Sequence, residues 1–98
     1  MEGMNNLEKV LKALANRRRL ALVAMLYKQK KVCVTDAAQI LGLSVKATSK
    51  HLNILRQAGI AERTQVSLLA YYSLALSLSP LARSILPHIS NSRELENS

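Results

Sequence analysis

The segment from Thr35 to Gly59 most constrains the fold, because it contains two helix patterns separated by a tight turn. Thr35 and Asp36 predict a helix start before "AAQIL", and Gly42 predicts its end. Ser44 is a residue type that caps helix N-termini, and Gly59 ends the second pattern. Two helices joined by a three-residue turn that contains glycine have the spacing of a helix-turn-helix.

Two further helix patterns precede this segment. The first is amphipathic, with apolar residues at helical spacing at Leu7, Val10, Leu11 and Leu14. Asn16 is placed to cap the second helix, which is apolar over most of its circumference between residues 20 and 27. This second helix is therefore expected at the centre of the core. A short extended piece, "VCV", follows it.

The period of the apolar pattern changes after the second helix of the helix-turn-helix. The runs "IAERTQ" and "LLAYYSL" predict a β-hairpin with its turn at residues 65–67. Ser79 as N-cap and Pro80 at the first helical position predict a last helix. Pro87 predicts that this helix stops or kinks near Leu86, because proline removes a backbone donor.

The composition suits a single, mainly helical core. The chain has 98 residues, of which 49% are apolar, with no Trp and no Phe, so packed aliphatic side chains are expected. The predicted fold class is mainly α with a small β-hairpin wing (α+β). One domain is predicted over residues 1–89, and residues 90–98 are predicted to be a polar, disordered tail.

The charge distribution favours a polyanionic partner. The net charge is +8, and residues 9–56 contain eleven Lys and Arg against one acid, Asp36. The alternative is a solvated basic surface. One cysteine excludes an intrachain disulfide, no apolar run approaches the ~20 residues of a membrane span, and "MEGMNN" is not a signal peptide. We therefore expect a cytoplasmic protein without membrane contact.

The second helix of the helix-turn-helix has an apolar face and a polar face. The face expected to dock on the core consists of Val45, Thr48, Leu52 and Leu55. A DNA major groove is wide enough to admit a helix whose N-terminal residues reach base edges. The predicted base-reading residues are Lys46, Ala47, Ser49, Lys50 and Asn53. The alternative is an ordinary amphipathic surface helix, on which such polar residues are simply exposed.

Over residues 7–78 the chain resembles the ArsR/SmtB family of winged helix-turn-helix transcriptional repressors. The most specific match is to that family's "S…SxHLxxLxxAG" pattern, through Ser44, Ser49, His51, Leu52, Leu55, Ala58 and Gly59. Arg19 matches an arginine near the start of the family's second helix, and Tyr72-Ser73-Leu74 matches the strand that ends the wing. The resemblance implies a homodimer that binds an operator and leaves it when an inducer arrives.

The expected partners are double-stranded DNA, bound at an inverted repeat, and a second copy of the chain; no cofactor is expected. The predicted phosphate contacts are Ser44, His51, Arg56, Arg63 and Gln65. His51 suits a hydrogen bond within the helix packing equally well. The predicted dimer interface consists of Leu7, Leu11, Leu14, Leu81, Ile85 and Leu86.

The family's metal and thiol chemistry is only partly matched. The second cysteine position of its "CVCDL"-like stretch holds Thr35, and the last helix offers only His88, so no metal site is predicted. Cys33 is either a small buried residue or a thiol sensor whose pKa Lys30 and Lys31 lower. "NRRR" replaces a "DPTR"-like segment, and its arginines either contact phosphate or an acidic partner, or form a solvated cluster.

Two classes of function follow. The first is a homodimeric DNA-binding transcriptional regulator, a repressor without the family's usual metal sites. The alternative is a winged-helix interaction module in a larger assembly, with only non-specific nucleic-acid affinity, because the wing tip "QVSLL" lacks the family's Gly and Arg. An enzyme is not expected, because the chain has no nucleophile–base grouping, Gly-rich phosphate loop or pair of carboxylates.

Overall fold

Five helices and one antiparallel sheet make up the structure, a computed structural model that describes residues 2–90. The helices are α1 (Glu2–Leu14), α2 (Arg17–Gln29), α3 (Val34–Leu41), α4 (Val45–Gln57) and α5 (Pro80–Ser90). The strands are β1 (Lys31–Cys33), β2 (Ala61–Val66) and β3 (Leu69–Leu74). The predicted fold class, mainly α with a small β-hairpin wing, is confirmed.

Local capping chemistry sets where α2 and α4 begin. The side-chain oxygen of Asn16 accepts a hydrogen bond from the backbone N–H of Arg19 at 3.0 Å. The hydroxyl oxygen of Ser44 accepts one from the backbone N–H of Ala47, also at 3.0 Å. Each bond satisfies a donor that the first helical turn leaves without an intrahelical partner. Both caps lie where the sequence predicts them.

The first helix of the helix-turn-helix, α3, begins earlier than predicted, with Cys33 rather than Thr35 or Asp36 at the N-cap position. Cys33 is extended as the last residue of β1, and Val34 is already helical, so Asp36 lies in the first turn rather than at the cap. The cause is pairing between distant segments, because β1 is held against β3 up to Cys33. Gly42, at φ +68°, ends α3 in the left-handed conformation that glycine adopts without strain.

The sheet has the strand order β1-β3-β2, so the hairpin predicted from the sequence gains β1 as a third strand. β3 pairs with β1 through Lys31↔Ser73 and with β2 through Val66↔Leu69. The hairpin turn therefore consists of residues 67 and 68, not 65–67. Ser67 has φ +58°, and a positive φ at the first turn position is typical of the type II′ turn.

The core lies around α2, as its apolar circumference predicts. Leu22, Val23 and Leu26 are at most 1% exposed, and they lie in one cluster with apolar residues of the other helices and of the sheet. Tyr72 of β3 supplies the aromatic ring of this cluster. Ile60 follows α4 and is 1% exposed. Burial of aliphatic surface is thus the main stabilising term of the domain.

The last helix continues past its proline. Pro87 lies inside α5, which ends at Ser90, so the predicted stop near Leu86 is wrong. Leu86 and Ser90 are both buried, and packing of this face outweighs the one backbone hydrogen bond that proline removes. Of the predicted tail at 90–98, Ser90 belongs to α5, and residues 91–98 lie outside the described residues.

The dimer-interface prediction needs correction at two positions. Leu14 is 7% exposed and Leu86 is 5% exposed within a single protomer, where both belong to the core cluster. The core of one protomer covers both side chains, so neither offers appreciable surface to a second copy. No helix among residues 2–90 is long and apolar enough to cross a membrane.

Candidate nucleic-acid interface

Helix α4 is anchored to the core by one narrow face. Thr48, Leu52 and Leu55 are at most 1% exposed, and the Thr48 hydroxyl donates to the carbonyl oxygen of Ser44 at 2.9 Å. Val45 was predicted to share this face, but it is 46% exposed because the first turn extends beyond the edge of the core. The rest of the circumference in the first two turns is consequently available to a partner.

The predicted base-reading residues form a single surface on α4. Lys46, Ser49, Lys50 and Asn53 follow one another at i, i+3, i+4 and i+7, and Ala47 lies beside them. Both lysines are exposed, whereas the other three side chains are half-buried. No acidic residue lies in the first turn of α4. This surface combines cations, small side chains and one amide, which are the groups that recognise base edges.

One internal hydrogen bond involves a residue of this surface. Arg56 Nη1 donates to Asn53 Oδ1 at 3.3 Å. Bidentate recognition of adenine uses both the oxygen and the nitrogen of an asparagine amide. Because an amide oxygen has two lone pairs, Asn53 can keep the bond from Arg56 and still read a base in that way.

The predicted phosphate contacts fall into two groups. Ser44 and Arg56 lie at opposite ends of α4, and Arg63 and Gln65 lie on the exposed part of β2. On the wing, Arg63 Nη2 donates to Gln65 Oε1 at 2.7 Å, and Gln65 Nε2 donates to the Ser67 carbonyl oxygen at 3.3 Å. The two wing donors thus form one unit next to the turn, separate from α4 along the chain.

Arg19 ties the start of α2 to both α1 and α4. Its Nε and Nη2 donate to the carbonyl oxygens of Ala13 and Lys12 at the end of α1, the latter at 3.2 Å. Its Nη1 lies 3.4 Å from His51 Nδ1 on α4. The sequence signal for Arg19 was its match to the family pattern, but its partners come from two other helices, α1 and α4, and could not be read from that pattern. This side chain fixes how α4 is oriented against α1.

The contact with Arg19 determines which ring nitrogen of neutral His51 carries the proton. A guanidinium can only donate, so His51 Nδ1 accepts and the ring proton lies on Nε2. Burial and the positive charges of Arg19, Arg18 and Lys50, in that order, hold the pKa of His51 below its ordinary value. Nδ1 of His51 thus joins the helix packing, and Nε2 keeps its N–H as a donor.

We expect the free energy of unfolding to fall in mild acid because of His51. With its folded pKa below the unfolded value of about 6.5, the unfolded chain binds the proton more readily. The contribution of neutral His51 is complete above that unfolded value and is lost as the pH falls through the folded pKa. Urea-unfolding midpoints between pH 7.5 and pH 5 should decline more steeply for the wild type than for His51→Gln. Equal slopes for the two proteins would contradict this role.

Cys33 is buried at 6% exposure, and its Sγ lies 3.1 Å from the Thr35 hydroxyl oxygen. Hydrogen bonds with the Thr35 side chain and backbone lower the pKa of the thiol. Burial suits the structural interpretation, whereas the lowered pKa suits the thiol sensor. Within residues 2–90, no group of three or more His, Cys, Asp and Glu side chains lies close enough together to hold a metal ion.

The remaining predicted interface residues lie on α1 and α5. Leu7 and Leu11 are 38% and 49% exposed and, with Met4, form an outward apolar face of α1 beside a groove of about 500 Å³. Leu81 of α5 is exposed and Ile85 is half-buried. Exposed leucines at helical spacing on the outside of a small domain are typical of a helix that packs against another chain.

Comparison with known proteins adds independent evidence. The cadmium resistance transcriptional regulatory protein CadC homolog of Staphylococcus aureus is 38% identical over 66 residues, which is 67% of this chain and 54% of that protein. The arsenical resistance operon repressor of Bacillus subtilis is 32% identical over 73 residues, covering 74% and 70% of the two chains. This chain spans about half the length of the cadmium resistance regulators that it matches.

A solved structure has the same fold over almost the whole chain. It is the homodimeric winged helix-turn-helix DNA-binding domain of a possible regulator from Mycobacterium bovis, with a TM-score of 0.73 and 23% identity over 96% of this chain and 81% of that one. The predicted winged helix-turn-helix fold is therefore confirmed.

The family assignment rests on the segment that contains the helix-turn-helix. A family profile described as "Bacterial regulatory protein, arsR family" matches residues 16–63, from the cap of α2 to the third residue of β2. The family and these relatives are regulators rather than enzymes, which confirms that expectation from the sequence. With the match to the arsenical repressor and the shared fold, this establishes that the chain belongs to the arsR family of bacterial regulatory proteins.

Proposed function

We propose that this protein is a DNA-binding transcriptional regulator, a repressor that binds an inverted-repeat operator as a homodimer in the cytoplasm. The observation that carries the proposal is the polar surface of α4, which presents Lys46, Ser49, Lys50 and Asn53 opposite a fully buried anchor. A helix held rigidly by one face can insert the other into a major groove. The names of the Staphylococcus and Bacillus relatives, a transcriptional regulator and an operon repressor, support the same class.

The proposed contacts divide into base recognition and phosphate binding. Base edges are read by Lys46, Ala47, Ser49, Lys50 and Asn53, and phosphates are held by Ser44, His51, Arg56, Arg63 and Gln65. Lysine suits guanine, asparagine suits adenine, and a small methyl group fits against thymine. The phosphate contacts supply affinity without sequence information, and the base contacts supply sequence preference.

The dimer is proposed to form through the exposed apolar residues of α1 and α5. Leu7, Leu11, Leu81 and Ile85 remain candidates, since each offers surface outside the core of one protomer. The Mycobacterium neighbour is itself described as homodimeric, which supports a homodimer but does not identify its interface. A two-fold dimer presents two copies of α4, which would contact half-sites about 10 base pairs apart on one side of the duplex.

Control by the family's metal sites is not proposed for this chain. Thr35 occupies the second cysteine position, and α5 offers only His88. We therefore expect Cd²⁺ and Zn²⁺ to leave operator binding unchanged, whereas a release of DNA by either ion would show a metal site. Cys33 stays the candidate thiol sensor, and loss of operator binding on mild oxidation, absent in Cys33→Ser, would support it.

Selection of bound duplexes from a random DNA pool at ~150 mM salt tests the proposal directly, because non-specific phosphate binding weakens steeply at that salt. Enrichment of an inverted repeat with half-sites about 10 base pairs apart would establish the dimeric regulator. Recovery of no motif, with binding that vanishes as the salt concentration rises, would reject it.

The wing favours a second candidate, an interaction module within a larger assembly. Val66 and Leu69 are 49% and 43% exposed, and Leu68 at the turn is 92% exposed, so the wing tip is apolar rather than basic. Exposed apolar side chains of this kind suit a protein surface. Crosslinking that finds a tight protein partner, together with a selection that yields no motif, would favour this candidate.

A further inference from the structure

The first two residues of α2, Arg17 and Arg18, form an exposed cationic pair, here called the arginine pair. Among residues 2–90, the structure shows no hydrogen bond or ion pair to either side chain. No acidic residue lies in the first turn of α2. Positive charge at a helix N-terminus opposes the helix dipole, so the pair does not stabilise its own helix. Both guanidinium groups are therefore available to an anionic partner outside the chain.

The packing of α2 places the arginine pair beside α4. Arg19, the next residue, lies 3.4 Å from His51 through its Nη1, which fixes the start of α2 against the middle of α4. The charges of Arg18 and Lys50 both act on the imidazole of His51, so the two cations lie around the same ring. Arg18 of the arginine pair thus adjoins the exposed surface of α4, although the two segments are about thirty residues apart along the chain.

When α4 lies in a major groove, the arginine pair would lie next to the sugar–phosphate backbone of the DNA. A helix in the major groove, about 12 Å wide, has a phosphate strand on either side. A long side chain on α2, the helix packed beside α4, would reach one of these phosphate strands rather than the bases. Arginine binds phosphate oxygens through two parallel donors. An acidic protein surface would not need the pair to lie beside α4.

We propose that the arginine pair is a second phosphate-binding surface, which holds the DNA backbone next to the groove that α4 enters. This inference rests on the proposed DNA-binding function and adds contacts outside the helix-turn-helix and the wing. With two arginines in each protomer, a dimer gains up to four phosphate contacts. The pair therefore supplies affinity that depends on salt and is indifferent to sequence.

The test compares Arg17→Gln/Arg18→Gln with Lys30→Gln/Lys31→Gln. The control removes the same charge beyond the opposite end of α2, about 20 Å away along 13 helical residues. For the arginine variant, the slope of log affinity against log salt should become shallower by about 3.6, or 0.9 for each contact in a dimer. Its preference for the selected duplex over a random-sequence duplex should not change. The control should keep the wild-type slope.

Thermal unfolding of the variants checks that any change in DNA binding does not come from a loss of folded protein. The arginine variant should unfold at the wild-type temperature or slightly above it, because two charges that oppose the helix dipole are gone. An unchanged salt slope, or an equal change in both variants, would overturn the proposal, the second because it reports net charge alone. If the wild type selects no motif but the slope on random-sequence DNA still falls only in the arginine variant, the operator function fails and the phosphate surface stands.

Discussion

Leu11→Lys is expected to sediment as a monomer at micromolar concentration and to bind the selected inverted repeat at least about a hundredfold more weakly than the wild type. Leu11 is 49% exposed on the outward face of α1. In a two-fold interface each residue occurs twice, so the substitution would bury two ammonium groups against apolar surface. A monomer loses the gain of about 10²–10⁴ that comes from joining two half-site contacts in one particle.

The choice of lysine separates loss of the dimer from a simple charge effect. An added cation by itself strengthens attraction to phosphate, so weaker binding by Leu11→Lys cannot come from repulsion of DNA. Leu76→Lys is the matched control, because Leu76 is 87% exposed between β3 and α5 and belongs to neither proposed interface helix. The control should remain dimeric with wild-type affinity. A dimeric Leu11→Lys with near-normal operator affinity would place the interface elsewhere.

The elements that local chemistry determines could be predicted from the sequence. Asn16 and Ser44 cap α2 and α4 through bonds to backbone groups three residues away, and Gly42 ends α3 with a positive φ. Each of these signals depends on a few neighbouring residues. The polar surface of α4 could be predicted for a similar reason, since helical periodicity places Lys46 and Lys50 away from the anchor.

The features that depend on distant segments could not be predicted. The early start of α3 follows from the pairing of β1 with β3, across about forty residues of chain. Leu14 was assigned to a dimer interface because it is apolar and follows the helical spacing of the other leucines. That pattern does not show whether an apolar residue packs in its own core or against a second copy, and Leu14 packs in its own core. The bonds of Arg19 join three helices, so no local pattern contains them. Tertiary packing decides all three.

Lys50→Ala should relax sequence preference at one or two base pairs of each half-site. Lys50 is exposed in the second turn of α4, within reach of a groove floor when the buried face holds the helix. Loss of a specific base contact costs about 1–3 kcal/mol. Because a symmetric operator contains the contact twice, the selected duplex should lose about 2–6 kcal/mol in total. Duplexes already altered at that base pair should lose much less.

Arg56→Ala is expected to act on every sequence alike. Arg56 lies in the last turn of α4, away from the N-terminal residues that reach base edges, and its proposed partner is a phosphate. The variant should bind all duplexes in the panel more weakly by one common factor, and its salt slope should fall by about 1.8 for the two copies in a dimer. Its loss should therefore shrink as the salt concentration rises, unlike the base-specific loss of Lys50→Ala.

Affinities for a panel of single base-pair variants of the selected site, measured at two salt concentrations, distinguish the two residues. Lys30→Ala controls for the loss of one positive charge, because Lys30 follows the far end of α2. If Lys50→Ala and Arg56→Ala both lower affinity uniformly across the panel, Lys50 contacts phosphate and α4 does not read the groove through its second turn. If Arg56→Ala alters the preference at one position, the expected uniform effect is wrong, and Arg56 takes part in base recognition directly or through its hydrogen bond to Asn53.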